Sequence, residues 1–196
     1  MGIIPHAHFE KQRKDKLQKI LDSARQVFCR KGFLAVKMKD IIEECGISRG
    51  GIYFYFSSVD EVFLAVLEQR NKEVIDLNES FEAVLESFWA RQKERLLNFE
   101  NSLFRAYCEY VFSQPEETIR ELRDTQLMQL RNSVEAILNY GVQQGAIKNK
   151  NISQLATHFI VTIDGLSVHA LGAALPENII NEQFDILKCL LKGEFS

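Results

Sequence analysis

Apolar residues recur with helical spacing along most of the chain. The first stripe is formed by Leu17, Ile20, Leu21, Ala24, Val27 and Phe28. This spacing of three and four residues predicts an amphipathic helix over residues 13–31, and Gly32 can take the left-handed conformation that ends it. No long run alternates with period two, so the sequence predicts an all-α fold.

A second pattern predicts a helix-turn-helix. Its first helix carries the apolar stripe Met38, Ile41, Ile42 and Cys45, and Gly46 ends it. Ser48 is a good N-cap for a short second helix that starts at Arg49. In that helix Ile52, Tyr53 and Phe56 can face inward. A helix, a tight glycine turn and a second short helix form the unit that lays a recognition helix into the major groove.

The rest of the chain reads as further helices. Ser58 and Glu61 form a predicted capping box, and apolar stripes follow over 81–99, 103–112, 119–145 and 179–191. A helix that Ser153 caps is expected to run to about Ala174 and to be apolar all round, so it must be covered on all sides. Together with the last helix it suits a four-helix interface between two subunits. The expected interface residues are Leu166, His169, Ala170, Ile180, Phe184 and Leu187.

The same apolar segment is long enough to resemble a membrane span. Asp164 lies near its middle, and a charged Asp there costs about 3 kcal/mol, so we expect a buried helix and no membrane. The first eight residues do not resemble a secretory leader, and the four cysteines are far apart in sequence. These features predict reduced thiols and a cytoplasmic protein.

Charge is distributed unevenly. Residues 1–58 carry eleven Lys and Arg against six Asp and Glu, a net +5, whereas the whole chain is −3 and residues 59–196 are therefore −8. A basic first third places a polyanionic partner at the N-terminal end. The basic run 11–16 fits either a solvated tail or an arm that contacts DNA.

The segments Ile20–Phe33 and Asp40–Phe56 closely resemble the DNA-binding domain of the tetracycline-repressor (TetR) family. About fifty residues match with their internal spacings intact. The resemblance implies a homodimeric bacterial regulator, usually a repressor, that binds a double-stranded DNA operator and is released by a small molecule. It divides the chain into a three-helix DNA-binding domain with an N-terminal arm, residues 1–58, and a helical ligand-binding and dimerisation domain, residues 59–196. The candidate DNA-binding residues are Lys37, Lys39, Ser48, Arg49, Gly50, Gly51, Tyr53, Phe54 and Tyr55.

The sequence departs from the family pattern at several positions. Val36 and Lys37 replace the Thr or Ser pair that caps the first helix of the motif, so that cap must come from another residue. Phe54 stands where His is common, and Val59 stands where a phosphate-contacting Lys is usual. Gly51 replaces a larger residue, which would leave bare backbone in the recognition helix. Lys37 or Lys39 is expected to supply the missing phosphate contacts.

A pocket for an apolar ligand is implied mainly by the resemblance. Its candidate residues are Phe88, Trp89, Phe104, Tyr107, Cys108, Phe112, Met128, His158 and Thr162. Aromatic stripes with helical spacing also fit an ordinary core, and that alternative stands for each residue taken alone.

Two other classes of protein compete with a regulator. A di-iron helical-bundle enzyme would need Glu three residues before a His, but Leu155 and Leu166 stand before His158 and His169. The sequence also lacks H-E-x-x-H, P-loop and G-x-S-x-G motifs, so we expect no catalytic residue, no metal and no cofactor. A helical adaptor without DNA binding is the other alternative, and Phe54 and Val59 favour it.

Overall fold

The computed structural model describes residues 5–70, 77–148 and 151–193. Across these ranges the backbone forms nine α-helices and one 3-10 turn at Phe99–Asn101, with no strand. The helices are α1 (Pro5–Lys31), α2 (Met38–Cys45), α3 (Arg49–Tyr53), α4 (Val59–Arg70), α5 (Phe81–Leu97), α6 (Leu103–Ser113), α7 (Glu116–Gln143), α8 (Ile152–Gly172) and α9 (Glu177–Lys192). The prediction of an all-α fold is confirmed, and α1 begins eight residues before its predicted start.

The chain divides into two compact units. The first comprises residues 1–73 and 100–113 and contains α1 to α4 together with α6. The second comprises residues 74–99 and 114–196 and contains α5, α7, α8 and α9. The boundary expected between residues 58 and 59 falls inside the first unit, because α4 and α6 both pack against α1.

Four aromatic rings form the core of the first unit. The ring centroids of Phe28 and Phe63 are 4.8 Å apart, and those of Phe33 and Tyr110 are also 4.8 Å apart, both pairs edge to face. Such pairs add about 0.5–1.5 kcal/mol beyond the burial of their area. The cluster therefore holds α4 and α6 against the C-terminal end of α1.

The turn after α1 makes a polar contact with α6. Gly32 ends α1 with φ +72°, as expected, and the Leu34 amide donates a hydrogen bond to Oε2 of Glu109 at 3.1 Å. Arg105 Nε donates to the other oxygen of this carboxylate at 3.0 Å. A Cβ atom at residue 32 would collide with the Glu109 carboxylate. The glycine therefore permits both the left-handed backbone and the approach of Glu109.

The second unit is built around a single tryptophan. The ring of Trp89 stacks on Phe184 with centroids 4.4 Å apart and lies 4.9 Å from Phe159. These residues come from α5, α9 and α8, so one aromatic cluster joins three helices.

One expectation for α8 is wrong. The helix begins at Ile152, and its N-cap is Asn151, whose Oδ1 accepts the Gln154 amide at 3.3 Å, rather than Ser153. Within the single chain Val161 and Val168 are 62% and 66% exposed, so the expected covering of α8 on all sides stays a prediction about an assembly of two chains. Packing buries one face of α8, and the other face stays on the surface of the chain.

Among the described residues, α8 is the one helix long and apolar enough to match a membrane span by length and composition. Its Leu155, Phe159 and Ile163 are buried within the protein. The core helix of a soluble protein has the same properties, so the match is weak evidence for a membrane.

Candidate nucleic-acid interface

The predicted helix-turn-helix is formed by α2, a three-residue turn and α3. Gly46 adopts φ +63°, and its amide donates to the Ile42 carbonyl at 3.0 Å, which ends α2. Ser48 begins α3 as its N-cap, since its Oγ accepts the Gly51 amide at 3.2 Å. Both the glycine stop and the serine cap were expected from the sequence. They place the short helix from Arg49 at the surface of the first unit.

The two glycines of the recognition helix have different surroundings. A Cβ at Gly51 would come within 2.8 Å of Ile47 Cγ2 and 3.1 Å of Ser48 Oγ. A larger residue there would press on these two side chains, so the packing of this motif favours a small residue. Gly50 has nothing within 4 Å of an added Cβ. The exposed bare backbone is therefore at Gly50 rather than at Gly51.

Asp40 caps the start of α2, where the sequence has no Ser or Thr at the expected positions. Asp40 Oδ2 accepts the backbone amide of Lys37 at 2.8 Å, so the third residue of α2 satisfies the first orphan donor. Its Oδ1 accepts a hydrogen bond from Lys31 Nζ, also at 2.8 Å. The hydrogen bond from Lys31, followed by that from the Lys37 amide, lowers the pKa of Asp40 below its ordinary value.

Ion pairs remove some of the positive charge from the predicted interface. Arg30 Nη2 lies 2.5 Å from Glu44 Oε2, and Lys31 is paired with Asp40. In the described part of the chain, Lys37, Lys39 and Arg49 form no ion pair, and all three are exposed. Among the predicted DNA-binding residues, the unpaired positive charge thus lies at the start of α2 and at the start of α3.

All nine predicted DNA-binding residues lie on the surface or are half-buried. Arg49 extends over the ring of Tyr53, with its guanidinium carbon 5.5 Å from the ring centroid. Tyr53 is 43% exposed, so it is not the inward-facing core residue that the sequence analysis allowed. Ile52 and Phe56 are buried, as expected. A contact of any of the nine with DNA remains a prediction.

Phe54 has a partner in the structure that the sequence pattern does not indicate. This exposed ring carries the guanidinium of Arg13, whose central carbon is 5.7 Å from the ring centroid. Forty-one positions separate the two residues along the chain, and no local spacing pattern connects them.

The predicted ligand-binding residues do not share one environment. Phe88, Trp89 and Cys108 are buried, whereas Phe104, Tyr107 and Thr162 are half-buried. Phe112, Met128 and His158 are exposed, the first two by 80% and 60%. An enclosed site for an apolar ligand needs buried walls, and these three side chains do not provide them.

Most of the predicted dimer-interface residues belong to the core of the second unit. Leu166, Ala170, Ile180, Phe184 and Leu187 are each at least 94% buried within a single chain. Side chains that their own chain covers this far have little surface to offer a second copy, so their assignment to the interface stays a prediction that this burial does not support. His169 is the exposed member of the set.

The described residues contain no group of three or more His, Cys, Asp or Glu side chains that could hold a metal ion. The four cysteines are free thiols, and burial raises the pKa of Cys29, opposed by the nearby Arg25. These side chains do not form an arrangement that indicates a catalytic site.

Comparison with known proteins identifies the family. Residues 20–66 match the sequence model described as bacterial regulatory proteins, tetR family. The HTH-type transcriptional regulator YfiR of Bacillus subtilis (strain 168) is 33% identical over 170 residues, which cover 82% of this chain and 83% of YfiR. The fatty acid metabolism regulator protein of the same organism is 25% identical over 162 residues, or 79% of this chain and 82% of the relative.

A solved structure shows the same fold. The TetR-family regulator CifR, solved as a cysteine mutant in complex with a 26-base-pair double-strand operator DNA, superposes with a TM-score of 0.63 at 18% identity. The match covers 87% of this chain and 94% of CifR. With its helix-turn-helix, its all-α fold and a relative matched over most of both sequences, this chain belongs to the TetR family of DNA-binding transcriptional regulators, which are not enzymes.

Proposed function

We propose that this chain is a cytoplasmic repressor that binds a pseudo-palindromic operator as a homodimer and is released by a small, largely apolar molecule. The observation that carries the proposal is the helix-turn-helix itself. Its short helix α3 lies at the surface with Arg49 exposed at its first position.

In this proposal the two ends of the motif have separate roles. Arg49 stands at the start of the recognition helix, where an arginine can donate two hydrogen bonds to a guanine edge. Lys37 and Lys39 lie at the start of α2, where exposed cations suit the phosphates of the adjacent backbone. Arg49 would then select sequence, and the two lysines would add affinity for any duplex.

Selection of genomic fragments on the purified protein would recover the operator, and titration of variants would test the roles. Arg49→Ala should weaken the selected site by about 1–3 kcal/mol and relax preference at one base step. Lys39→Ala should weaken binding to all DNA sequences alike and lower the slope of log affinity against log salt by about one. Lys148→Ala, which removes an exposed cation from the second unit, is the matched control. Equal losses for all three variants, or full affinity for a single asymmetric half-site, would contradict the proposal.

The exposed face of α8 supports a homodimer. Val161, Gly165, Val168 and Gly172 follow one another at intervals of three and four residues and are all exposed. Ile186 of α9 adds a further apolar side chain that is 40% exposed. An apolar stripe with glycines gives a second copy a flat surface to cover, and burying it removes apolar area from water.

Size-exclusion chromatography with light scattering would test the dimer. Val168→Asp should split it, because the side chain is 66% exposed in the single chain and its replacement leaves the core intact. Val142→Asp makes the same change at an apolar position of α7 that is 40% exposed, and it should leave the dimer unchanged. A wild-type monomer at micromolar concentration, or a Val168→Asp dimer as stable as the wild type, would refute this interface.

The aromatic interior of the second unit supports an apolar effector. Phe88, Trp89, Phe159 and Phe184 gather there from three helices. The relative named as a fatty acid metabolism regulator makes acyl chains the first class of compound to screen. A ligand can release DNA only if it prefers the released conformation, and coupling of about 1–3 kcal/mol would lower operator affinity roughly 5- to 150-fold.

A thermal-shift screen of fatty acids and other hydrophobic compounds, followed by titration with and without operator, would test release. Fluorescence of Trp89, the only tryptophan in the chain, reports binding without a label. Because coupling is reciprocal, operator should weaken a true effector by the same factor as the effector weakens operator. Hits that stabilise the protein and leave operator affinity unchanged would favour a regulator without an effector.

A further inference from the structure

The first turns of α1 form one side of an open groove beside the helix-turn-helix. Phe9, Gln12, Arg13 and Lys16 follow one another at i, i+3, i+4 and i+7, so they lie along one face of the helix. Together with Tyr55 they line a concavity of about 380 Å³ that is open to solvent. The basic run 11–16 is therefore part of an ordered helix rather than a solvated tail.

Two contacts fix this helical segment relative to the end of the recognition helix. Tyr55 Oη donates a hydrogen bond to the backbone carbonyl of Arg13 at 3.4 Å. The Arg13 guanidinium lies over the ring of Phe54, which in turn packs edge to face on Tyr55 with centroids 5.2 Å apart. A cation held over an aromatic face is attracted by the negative potential of the ring. The groove and α3 thus form one continuous surface.

The two ends of α1 differ in how their charge is used. At the C-terminal end, Arg30 and Lys31 are neutralised by carboxylates of α2. At the N-terminal end, Arg13 and Lys16 are exposed and form no ion pair with any residue that the structure describes. The guanidinium and the ammonium lie on the same face, one turn apart. This spacing gives two charged donors on one side of the groove, with the rings of Phe9 and Tyr55 beside them.

We propose that this groove binds one phosphodiester of the DNA backbone, with Arg13 and Lys16 as the donors. The aromatic rings offer the adjacent deoxyribose an apolar surface, and the Arg13 guanidinium retains free N–H groups while it stacks on Phe54. Phe54 is a positioning residue that acts through Arg13. The inference rests on the operator binding proposed above and adds a contact outside α2 and α3. A contact to a phosphate carries no base information, so this contact should strengthen binding to every DNA sequence equally.

Fluorescence anisotropy of the full-length protein on the selected duplex and on a scrambled duplex, across a salt series, tests the proposal. Arg13→Ala and Lys16→Ala should each lower the slope of log affinity against log salt by about one, on both duplexes. At 0.1 M salt this corresponds to a roughly five- to tenfold loss of affinity. Lys14→Ala removes the same charge from a residue that does not line the groove, and it should leave the slope unchanged.

Phe54→Leu separates positioning from charge. It keeps an apolar side chain and removes the aromatic face, so it should weaken binding in the presence of Arg13 and have no further effect in an Arg13→Ala background. Additive losses would show that Phe54 acts independently of Arg13, which would overturn its positioning role.

The comparison of Arg13→Ala, Lys14→Ala and the wild type gives three results that would contradict the proposal. If Arg13→Ala and Lys14→Ala lower the slope of log affinity against log salt equally, the attraction is diffuse and the groove is not a site. The groove is also refuted if the wild type binds DNA and Arg13→Ala leaves that slope unchanged. A wild type that binds neither duplex would overturn the operator proposal together with this one. Circular dichroism melts of each variant confirm that the exposed substitutions leave the fold intact.

Discussion

Replacement of Gly32 by alanine should destabilise the first unit through two separable effects. At φ +72° an L-residue loses roughly 1–2 kcal/mol relative to glycine. In addition, the new Cβ would collide with the Glu109 carboxylate, which the Leu34 amide and Arg105 hold in place. Moving that carboxylate weakens two hydrogen bonds, each contributing about 0.5–1.5 kcal/mol, or somewhat more where a charge takes part. We therefore expect Gly32→Ala to lower the free energy of unfolding by about 2–4 kcal/mol.

Urea unfolding monitored by circular dichroism at 222 nm measures this loss, at a fixed protein concentration because dimerisation would contribute to stability. Gly46→Ala is the matched control within the same unit. Gly46 has φ +63° and nothing within 4 Å of an added Cβ, so it should lose only the conformational part, about 1–2 kcal/mol.

A double-mutant cycle isolates the collision. In a Glu109→Ala background the added methyl group meets no carboxylate, so Gly32→Ala should lose about as much stability as Gly46→Ala. If Gly32→Ala loses no more than the control in the wild-type background, the carboxylate yields freely and the reasoning from its two hydrogen bonds is refuted.

Further predictions concern the helix-turn-helix. Asp40 has a lowered pKa in the folded chain, so its contribution to stability is present above its unfolded pKa and is lost as pH falls through the folded value. Asp40→Asn should therefore reduce the loss of stability at acid pH in a plot of unfolding free energy against pH. Glu43→Gln is the control for the loss of one negative charge. Gly51→Ala should be less stable than Gly50→Ala by about 1 kcal/mol or more in the same urea assay, because both gain the alanine preference for helix and only residue 51 would press on Ile47. Equal stabilities would mean that Ile47 moves aside at no cost.

Local features of this fold follow directly from the sequence. Gly32, Gly46 and Ser48 end or begin helices through contacts that span at most four residues, and all three were predicted. The capping box at α4 was half right, since Ser58 Oγ accepts the Glu61 amide at 3.1 Å while the Glu61 carboxylate accepts from Ser57 instead of Ser58. Such patterns can be read because donor, acceptor and spacing lie in one short segment.

Features that depend on which surfaces meet were not predictable in the same way. Composition identifies α8 as apolar, but only packing against α5, α7 and α9 decides which of its faces is buried. Leu166 and Val168 have similar hydrophobicity, yet the first is 6% exposed and the second 66%. For this reason the interface predicted from the sequence includes residues, such as Leu166, that their own chain already buries. The approach of Glu109 to Leu34, 75 positions away, lies outside any local pattern for the same reason.

The charge of the first unit illustrates how pairing limits what composition can predict. A net charge of +5 over residues 1–58 indicates a polyanion partner, but it does not show which Lys and Arg side chains are free to contact that partner. Asp40 caps α2 and at the same time pairs with Lys31, so one carboxylate both stabilises the motif and removes a cation from the C-terminal end of α1. Glu44 removes Arg30 in the same way. In the proposed complex the attraction for DNA would come from the starts of α2 and α3 and from the first turns of α1. Because Lys37, Lys39, Arg49, Arg13 and Lys16 form no ion pair with any described residue, a phosphate could bind there without displacing a carboxylate.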